Sequence, residues 1–140
     1  MKVLLIHDEM LNVELPVFEA HPDIPRIFVF DPVFIAEQGW RRRRLQFIAD
    51  ALSSVPNVRI FKGALGDVVA ALAADSPSGD VHLITQATPN TEIQSWIATL
   101  SNVQLEFVDA PVFATHEGSV ARFSKYWGSA QAQWFPKPDK

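Results

Sequence analysis

Cysteine is absent from the 140-residue chain, which excludes disulfide bonds and thiolate-ligated metal sites within it. Long apolar runs are absent as well, since none approaches the roughly 20 residues that a membrane-spanning helix needs. The apolar stretch between Lys2 and His7 is also shorter than the hydrophobic region of a secretory signal. We therefore expect a soluble, intracellular protein of the cytoplasm that has no membrane contact.

Positively charged residues are fewer than negatively charged ones, with 12 Lys and Arg residues against 16 Asp and Glu residues and a formal net charge of −4. This balance disfavours non-specific binding to nucleic acid, and we expect no direct nucleic-acid partner. The exception is the run Arg41 to Arg44, which would point in four directions around a helix at about 100° per residue. It is either a solvated helix start or a run from which one arginine reaches an anionic ligand or partner.

The chain begins with a short apolar run, Lys2 to Ile6, which shows no polar alternation. Such a run is typical of a parallel strand that is buried on both faces. It ends abruptly in His7, Asp8 and Glu9. Because open α/β sheets bind their ligands at the carboxyl ends of strands, this change of character marks a candidate site.

Four further apolar segments alternate with amphipathic ones. We predict strands at residues 2–6, 26–30, 58–61, 81–85 and 103–108, and helices around residues 10–20, 40–54, 65–72 and 89–100. The segment from Asp31 to Gly39 is predicted as a loop, and Thr88 as the cap of a helix that has Pro89 at its first position. The fifth strand alternates polar and apolar residues, so we expect it at an edge of the sheet. The pattern predicts an α/β fold, a three-layer Rossmann-like sandwich whose five-stranded parallel sheet has the order 3-2-1-4-5.

In that order, the ends of the first and fourth strands flank the crevice where the strand order reverses. The side chains placed there are His7, Asp8, Glu9, Thr85 and Gln86. They either contact a ligand or form a solvated strand end in which an acidic side chain caps the next helix. The segment after the first strand has no glycine, so a nucleotide-phosphate cradle is not expected. No side chains have metal-ligand spacing, and no metal site or catalytic residue is predicted.

Residues 118–140 form an aromatic-rich tail after a predicted α/β domain at residues 1–117. Its large aromatic residues are Phe123, Tyr126, Trp127, Trp134 and Phe135. Since the predicted sheet already has helices on both faces, we expect a C-terminal helical tail that packs on a further surface. It either packs over the sheet edge or forms an interface with another domain or subunit.

Five segments, in the same order, resemble motifs of one known family. They are His7–Phe18 against R-R-D-L-R-x-x-D-N-P-A-L, Val29–Pro32 against V-F-D-P, Arg44–Leu52 against R-x-x-F-L-x-x-S-L, Phe61–Gly63 against a strand followed by R-G, and Phe123–Trp127 against F-T-P-F-W. Over nearly its whole length the chain thus resembles the N-terminal α/β domain of the DNA photolyase and cryptochrome family. It departs from the family at His7, Asp8 and Glu9, where R-R-D would supply two cations.

The resemblance implies a domain that helps to hold a light-harvesting chromophore, a folate or a deazaflavin. Phe30, Asp31, Pro32 and Arg44 would line its cleft, together with the ends of the first and fourth strands. In the family, a separate helical domain binds FAD and damaged DNA and performs the electron transfer. We therefore expect neither FAD binding nor deoxyribodipyrimidine photo-lyase activity from this chain alone.

Three functions compete on this basis. The first is a non-catalytic domain that binds a small aromatic ligand or a partner chain in a DNA-repair or light-response context. The second is an interaction module with a vestigial pocket, whose aromatic tail forms a homodimer or docks a separate flavin-binding subunit. The third is a nucleotide-binding enzyme or stress protein of the wider related α/β group, which ranks last because no glycine-rich phosphate loop is present.

Overall fold

A computed structural model describes residues 1–110 together with Trp127, Gln131 and Gln133. Residues Met1–Ala110 form one compact unit. Its strands are β1 (Lys2–Ile6), β2 (Arg26–Phe30), β3 (Val58–Lys62), β4 (His82–Gln86) and β5 (Gln104–Val108). Its helices are α1 (Pro16–Ala20), α2 (Pro32–Glu37), α3 (Arg42–Leu52), α4 (Leu65–Asp75) and α5 (Thr91–Ala98).

The five strands form one all-parallel sheet of order β3-β2-β1-β4-β5, which confirms the predicted fold class. Leu4 of β1 lies opposite Arg26 of β2 on one side and Ile84 of β4 on the other. β1 is therefore the central strand, and the order reverses between β1 and β4. As its alternation predicts, β5 lies at an edge, where Phe107 is 53% exposed.

Helices cover both faces of the sheet, because alternate strand residues point to opposite sides and both sets are apolar. On one side, Leu5 and Leu83 pack with buried residues of α4 and α5, and we call this the α4/α5 face. On the other side, Leu4 and Ile84 pack with buried residues of α1 and α3, and we call this the α1/α3 face. This double burial explains why β1 and β4 have continuous apolar runs.

The predicted helix at residues 10–20 and the predicted loop at residues 31–39 are both wrong in part. The first helix is confined to Pro16–Ala20, since proline suits the first turn of a helix but disrupts its interior. The loop contains α2, which the sequence prediction missed. Pro32 lies in its first turn, and the Asp31 side chain accepts hydrogen bonds from the first backbone N–H groups.

The last helix begins after Asn90 and not after Thr88, which corrects the predicted cap. The Asn90 side chain accepts hydrogen bonds from the backbone N–H groups of Glu92 and Ile93. Thr88 instead accepts a hydrogen bond from the backbone N–H of Asn90 at 3.0 Å. Thr88 thus orders the turn, and Asn90 caps the helix that follows it.

In the predicted interface tail, Trp127 is helical and partly buried. The other four aromatic residues of that prediction lie outside the described residues; they are Phe123, Tyr126, Trp134 and Phe135. The predicted domain boundary at residue 117 also lies outside them. Among the described residues, none of the helices has both the length and the apolar composition that crossing a membrane requires.

Candidate functional site

His7 ties the end of β1 to the end of β4. It is only 1% exposed, and its Nε2 lies 3.0 Å from the backbone oxygen of Gln86. Its Nδ1 accepts a hydrogen bond of 3.3 Å from the backbone N–H of Glu9, so the ring proton is on Nε2 and is donated to Gln86. Burial lowers the pKa of His7, outweighing the Gln86 carbonyl and the charges of Glu9 and Asp8, which raise it. His7 is therefore a neutral structural link at the crevice.

Asp8 holds an arginine of α3 beside the crevice. Its Oδ2 accepts a hydrogen bond of 3.0 Å from Nη2 of Arg44. The Arg44 guanidinium also lies 5.8 Å from the ring centre of Trp40 and 5.5 Å from that of Phe47. Its charge is thus fixed in position by a carboxylate and two aromatic rings. Arg44, the last arginine of the cationic run, therefore pairs with a residue of the predicted site.

Glu9 faces the segment that follows β4. Its carboxylate accepts hydrogen bonds from the Thr88 hydroxyl and from Nδ2 of Asn90, the latter at 3.0 Å. Burial raises the pKa of Glu9, but these two hydrogen bonds outweigh it and hold the pKa below its ordinary value. Glu9 is therefore an ionised carboxylate that clamps the loop between β4 and α5.

Asp31 has no acceptor capacity left for a ligand. Oδ1 accepts from the backbone N–H groups of Val33 and Phe34 at 3.0 and 3.3 Å. Oδ2 accepts from the backbone N–H of Leu65 and from Nε1 of Trp96, both at 3.0 Å. Burial raises the pKa of Asp31, but these four hydrogen bonds outweigh it and lower the pKa below its ordinary value. The carboxylate joins β2, α2, α4 and α5.

The sheet separates the predicted site residues into two groups. Asp31 is bonded to α4 and α5, so it lies on the α4/α5 face. Phe30 packs with the core of the α1/α3 face, and its ring centre is 4.9 Å from that of Phe28. Pro32 is exposed in the first turn of α2. The predicted Phe30–Pro32 segment therefore does not line one cleft.

Thr85 and Gln86 end β4 in different ways. Thr85 is fully buried and its hydroxyl lies 2.9 Å from the backbone oxygen of Leu5, to which it donates. Gln86 is 6% exposed, and its side-chain Oε1 is buried with no hydrogen-bond partner among the described residues. Since Gln86 follows Ile84 by two positions, its side chain belongs to the α1/α3 face, the same face as Phe30 and α3.

We define the switch-point site as Asp8, Phe30, Trp40, Arg44 and Gln86. It combines a positioned cation, aromatic side chains and a buried amide oxygen that lacks a donor among the described residues. Such a set can stack on a planar ligand and accept a hydrogen bond from it. Within residues 1–110, no group of three or more His, Asp or Glu side chains is arranged to hold a metal ion.

Sequence reasoning missed two contributors to this end of the sheet. Trp40 was assigned only to a helix start, and Asn90 only to a helix interior. The available signal for Trp40 was its position next to the arginine run, where aromatic and guanidinium groups commonly stack. For Asn90 it was the known preference of asparagine for the residue that precedes a helix.

Comparison with known proteins found no relative of this chain. No protein-family model matches the chain, no curated protein matches it, and no solved structure matches it.

Proposed function

We propose that this chain is a binding domain for a small planar heteroaromatic molecule, related to the N-terminal α/β domain of DNA photolyases and cryptochromes. The ligand is of the folate or deazaflavin type, and it occupies the switch-point site. In this proposal the domain positions the ligand and performs no chemistry of its own.

The observation that carries the proposal is the buried amide oxygen of Gln86, which has no hydrogen-bond donor within residues 1–110. A buried oxygen without a donor costs about 1–3 kcal/mol, so folded proteins rarely keep one that nothing satisfies. It lies at the reversal of strand order, where open α/β sheets bind ligands. Pterins and deazaflavins have ring N–H groups that would donate to this oxygen.

The cation and the aromatic side chains at the same end of the sheet support a planar and partly anionic ligand. Arg44 is held by Asp8 at 3.0 Å and is stacked on Trp40, so its charge is in place before a ligand arrives. Phe47 on the same helix is 56% exposed, which extends the aromatic surface outward. A folate has a carboxylate tail that could pair with Arg44 while its ring stacks nearby.

The test is a fluorescence titration of the full chain with 5,10-methenyltetrahydrofolate and with 8-hydroxy-5-deazaflavin. We expect one of them to bind saturably, and Gln86→Met to weaken that binding about tenfold, since one hydrogen bond is lost. The matched control is Gln104→Met, which removes an exposed glutamine from β5 and should change nothing. Failure of both compounds to bind, or equal binding by Gln86→Met, would contradict the proposal.

A second candidate is an interaction module that forms a homodimer or docks a separate flavin-binding subunit. The exposed ring of Phe47 favours it, because a large exposed aromatic side chain commonly contacts a partner. Light scattering of the purified chain tests it. A dimer that Phe47→Ser converts to a monomer would favour this function over the first.

A further inference from the structure

A second cleft lies at the opposite end of the sheet, where β2 begins. Its volume is about 430 Å³, which falls within the range of about 300–1,000 Å³ that small-molecule sites occupy. It is lined by residues before and within α1 and by Pro56, in the turn between α3 and β3. The side chain of Arg26 lines it as well.

Arg26 is a buried cation without a carboxylate partner in the described part of the chain. It is only 6% exposed, and no Asp or Glu within residues 1–110 lies within ion-pair distance of it. Its Nη1 donates to the backbone oxygen of Pro56 at 2.9 Å, and its guanidinium lies 5.0 Å from the ring centre of Phe18. Its Nε is buried and has no hydrogen-bond partner among these same residues.

These contacts satisfy a small part of what a guanidinium requires. Arginine has five N–H donors in a planar fork that matches a carboxylate. A buried charge is costly unless it is paired and hydrogen-bonded. With one carbonyl and one aromatic ring around it, and no partner for Nε within residues 1–110, Arg26 keeps donor capacity for a carboxylate.

The rim of the cleft selects among carboxylates. Glu14 and Glu19 line it and are exposed, so a simple anion would approach two negative charges. No carboxylate oxygen of either glutamate lies within 4.0 Å of a guanidinium nitrogen of Arg26, and all three residues line the same cleft. Val13, which is 44% exposed, and Leu15 add apolar surface.

We infer that this cleft binds a free α-amino acid with an apolar side chain. The carboxylate pairs with the Arg26 guanidinium, the ammonium group lies toward Glu14 and Glu19, and the side chain packs on Val13 and Leu15. Each of the three chemical features of the cleft then faces its complement. The site is separate from the switch-point site and does not depend on its function.

The test uses three probes that differ by one group each: L-leucine, 4-methylpentanoate without the ammonium, and L-leucinol without the carboxylate. Nitrogen-15 NMR of the full chain follows the Arg26 Nε–H resonance and the backbone signals of Val13 and Glu19. We expect saturable shifts with L-leucine and binding at least about tenfold weaker for each analogue. No shift with L-leucine at about 20 mM, or equal binding by either analogue, would overturn the inference.

Two substitutions separate a binding role from a structural one. Glu19→Gln keeps the fold, because Glu19 is exposed. It should weaken L-leucine about threefold or more and strengthen 4-methylpentanoate, whereas Glu37→Gln on α2 should change neither. Arg26→Gln should abolish binding of L-leucine. If Arg26→Gln does not fold, the opposite response of the two probes to Glu19→Gln still decides, and the same response to both would refute the site.

Discussion

The strands β2 and β4 both end in a buried polar side chain, but the two side chains have different surroundings. Asp31, after β2, accepts four hydrogen bonds from three helices. Gln86, at the end of β4, has an amide oxygen with no donor among the described residues. Polar character at a strand end therefore does not by itself indicate a ligand site. The number of donors that the fold brings to the side chain decides between a structural and a binding role.

The largest expected effect is a loss of stability on substitution of Asp31, whose carboxylate accepts four hydrogen bonds. Asp31→Asn keeps one oxygen for the start of α2 but turns an NH₂ group toward two donors, Leu65 N–H and Trp96 Nε1–H. We expect the free energy of unfolding to fall by about 3 kcal/mol in urea denaturation. Asp23→Asn, in an exposed turn, is the control and should have little effect. A loss below about 1 kcal/mol would mean that Asp31 is not the structural junction described above.

The next effect is a dependence of stability on pH that arises from His7. Burial holds the pKa of His7 below its usual 6.5, so the folded ring stays neutral where the unfolded one takes up a proton. The free energy of unfolding should therefore be highest above pH 6.5 and decline below it, by up to about 1.4 kcal/mol per pH unit for this group.

Urea denaturation of the wild type and of His7→Gln between pH 7.5 and about pH 5 measures this contribution. His7→Gln should show a shallower decline, while the control His21→Gln should leave the part due to His7 intact. Parallel curves for the wild type and His7→Gln would show that His7 is not kept neutral by burial.

Substitution of Gln86 should change stability in the opposite direction to substitution of Asp31. Gln86→Met removes a buried amide oxygen that has no donor within residues 1–110 and retains most of the side-chain volume, so we expect the free energy of unfolding to rise by about 1 kcal/mol. The same change is expected to weaken ligand binding. A clear loss of stability in urea denaturation would mean that the Gln86 amide oxygen has a hydrogen-bond donor in solution, as the Asp31 carboxylate does.

The smallest expected effect is at the Asp8–Arg44 pair. The Arg44 side chain is 41% exposed, so its ion pair should contribute about 0.5 kcal/mol and weaken with added salt. Arg44→Gln should therefore change stability little in urea denaturation but weaken an anionic ligand markedly. Arg42→Gln, at an exposed position of the same cationic run, is the matched control for both measurements. Equal effects of the two changes on ligand affinity would remove Arg44 from the site.

Much of the fold was predictable from local pattern. The runs around Leu5 and Ile84 predicted buried parallel strands, and both are fully buried. The helix α2 was missed because its signal, an aspartate followed by proline, also reads as a turn. The cap of α5 was misplaced by two residues because Thr88 and Asn90 are both good caps, and only the backbone path distinguishes them.

The end of the sheet at which the candidate side chains lie was predictable, but the face on which each one lies was not. Asp8 follows β1 and Gln86 ends β4, the two strands between which the order reverses, and Arg44 pairs with Asp8. Asp31 and Phe30, adjacent in the sequence, lie on opposite faces because consecutive strand residues alternate. The buried Arg26 begins β2, and nothing in the sequence signals that no carboxylate of residues 1–110 pairs with it.

The α/β class, the parallel sheet and its central strand follow from the sequence alone, because hydrophobic periodicity and strand length are local properties of the chain. The hydrogen bonding of the buried polar groups does not follow from it. The donors to Asp31 Oδ2 come from residues 34 and 65 positions away, whereas no distant donor or carboxylate of the described residues reaches Gln86 Oε1 or Arg26 Nε. Hydrogen bonding of a buried group depends on packing between distant segments, and a local pattern does not encode that packing.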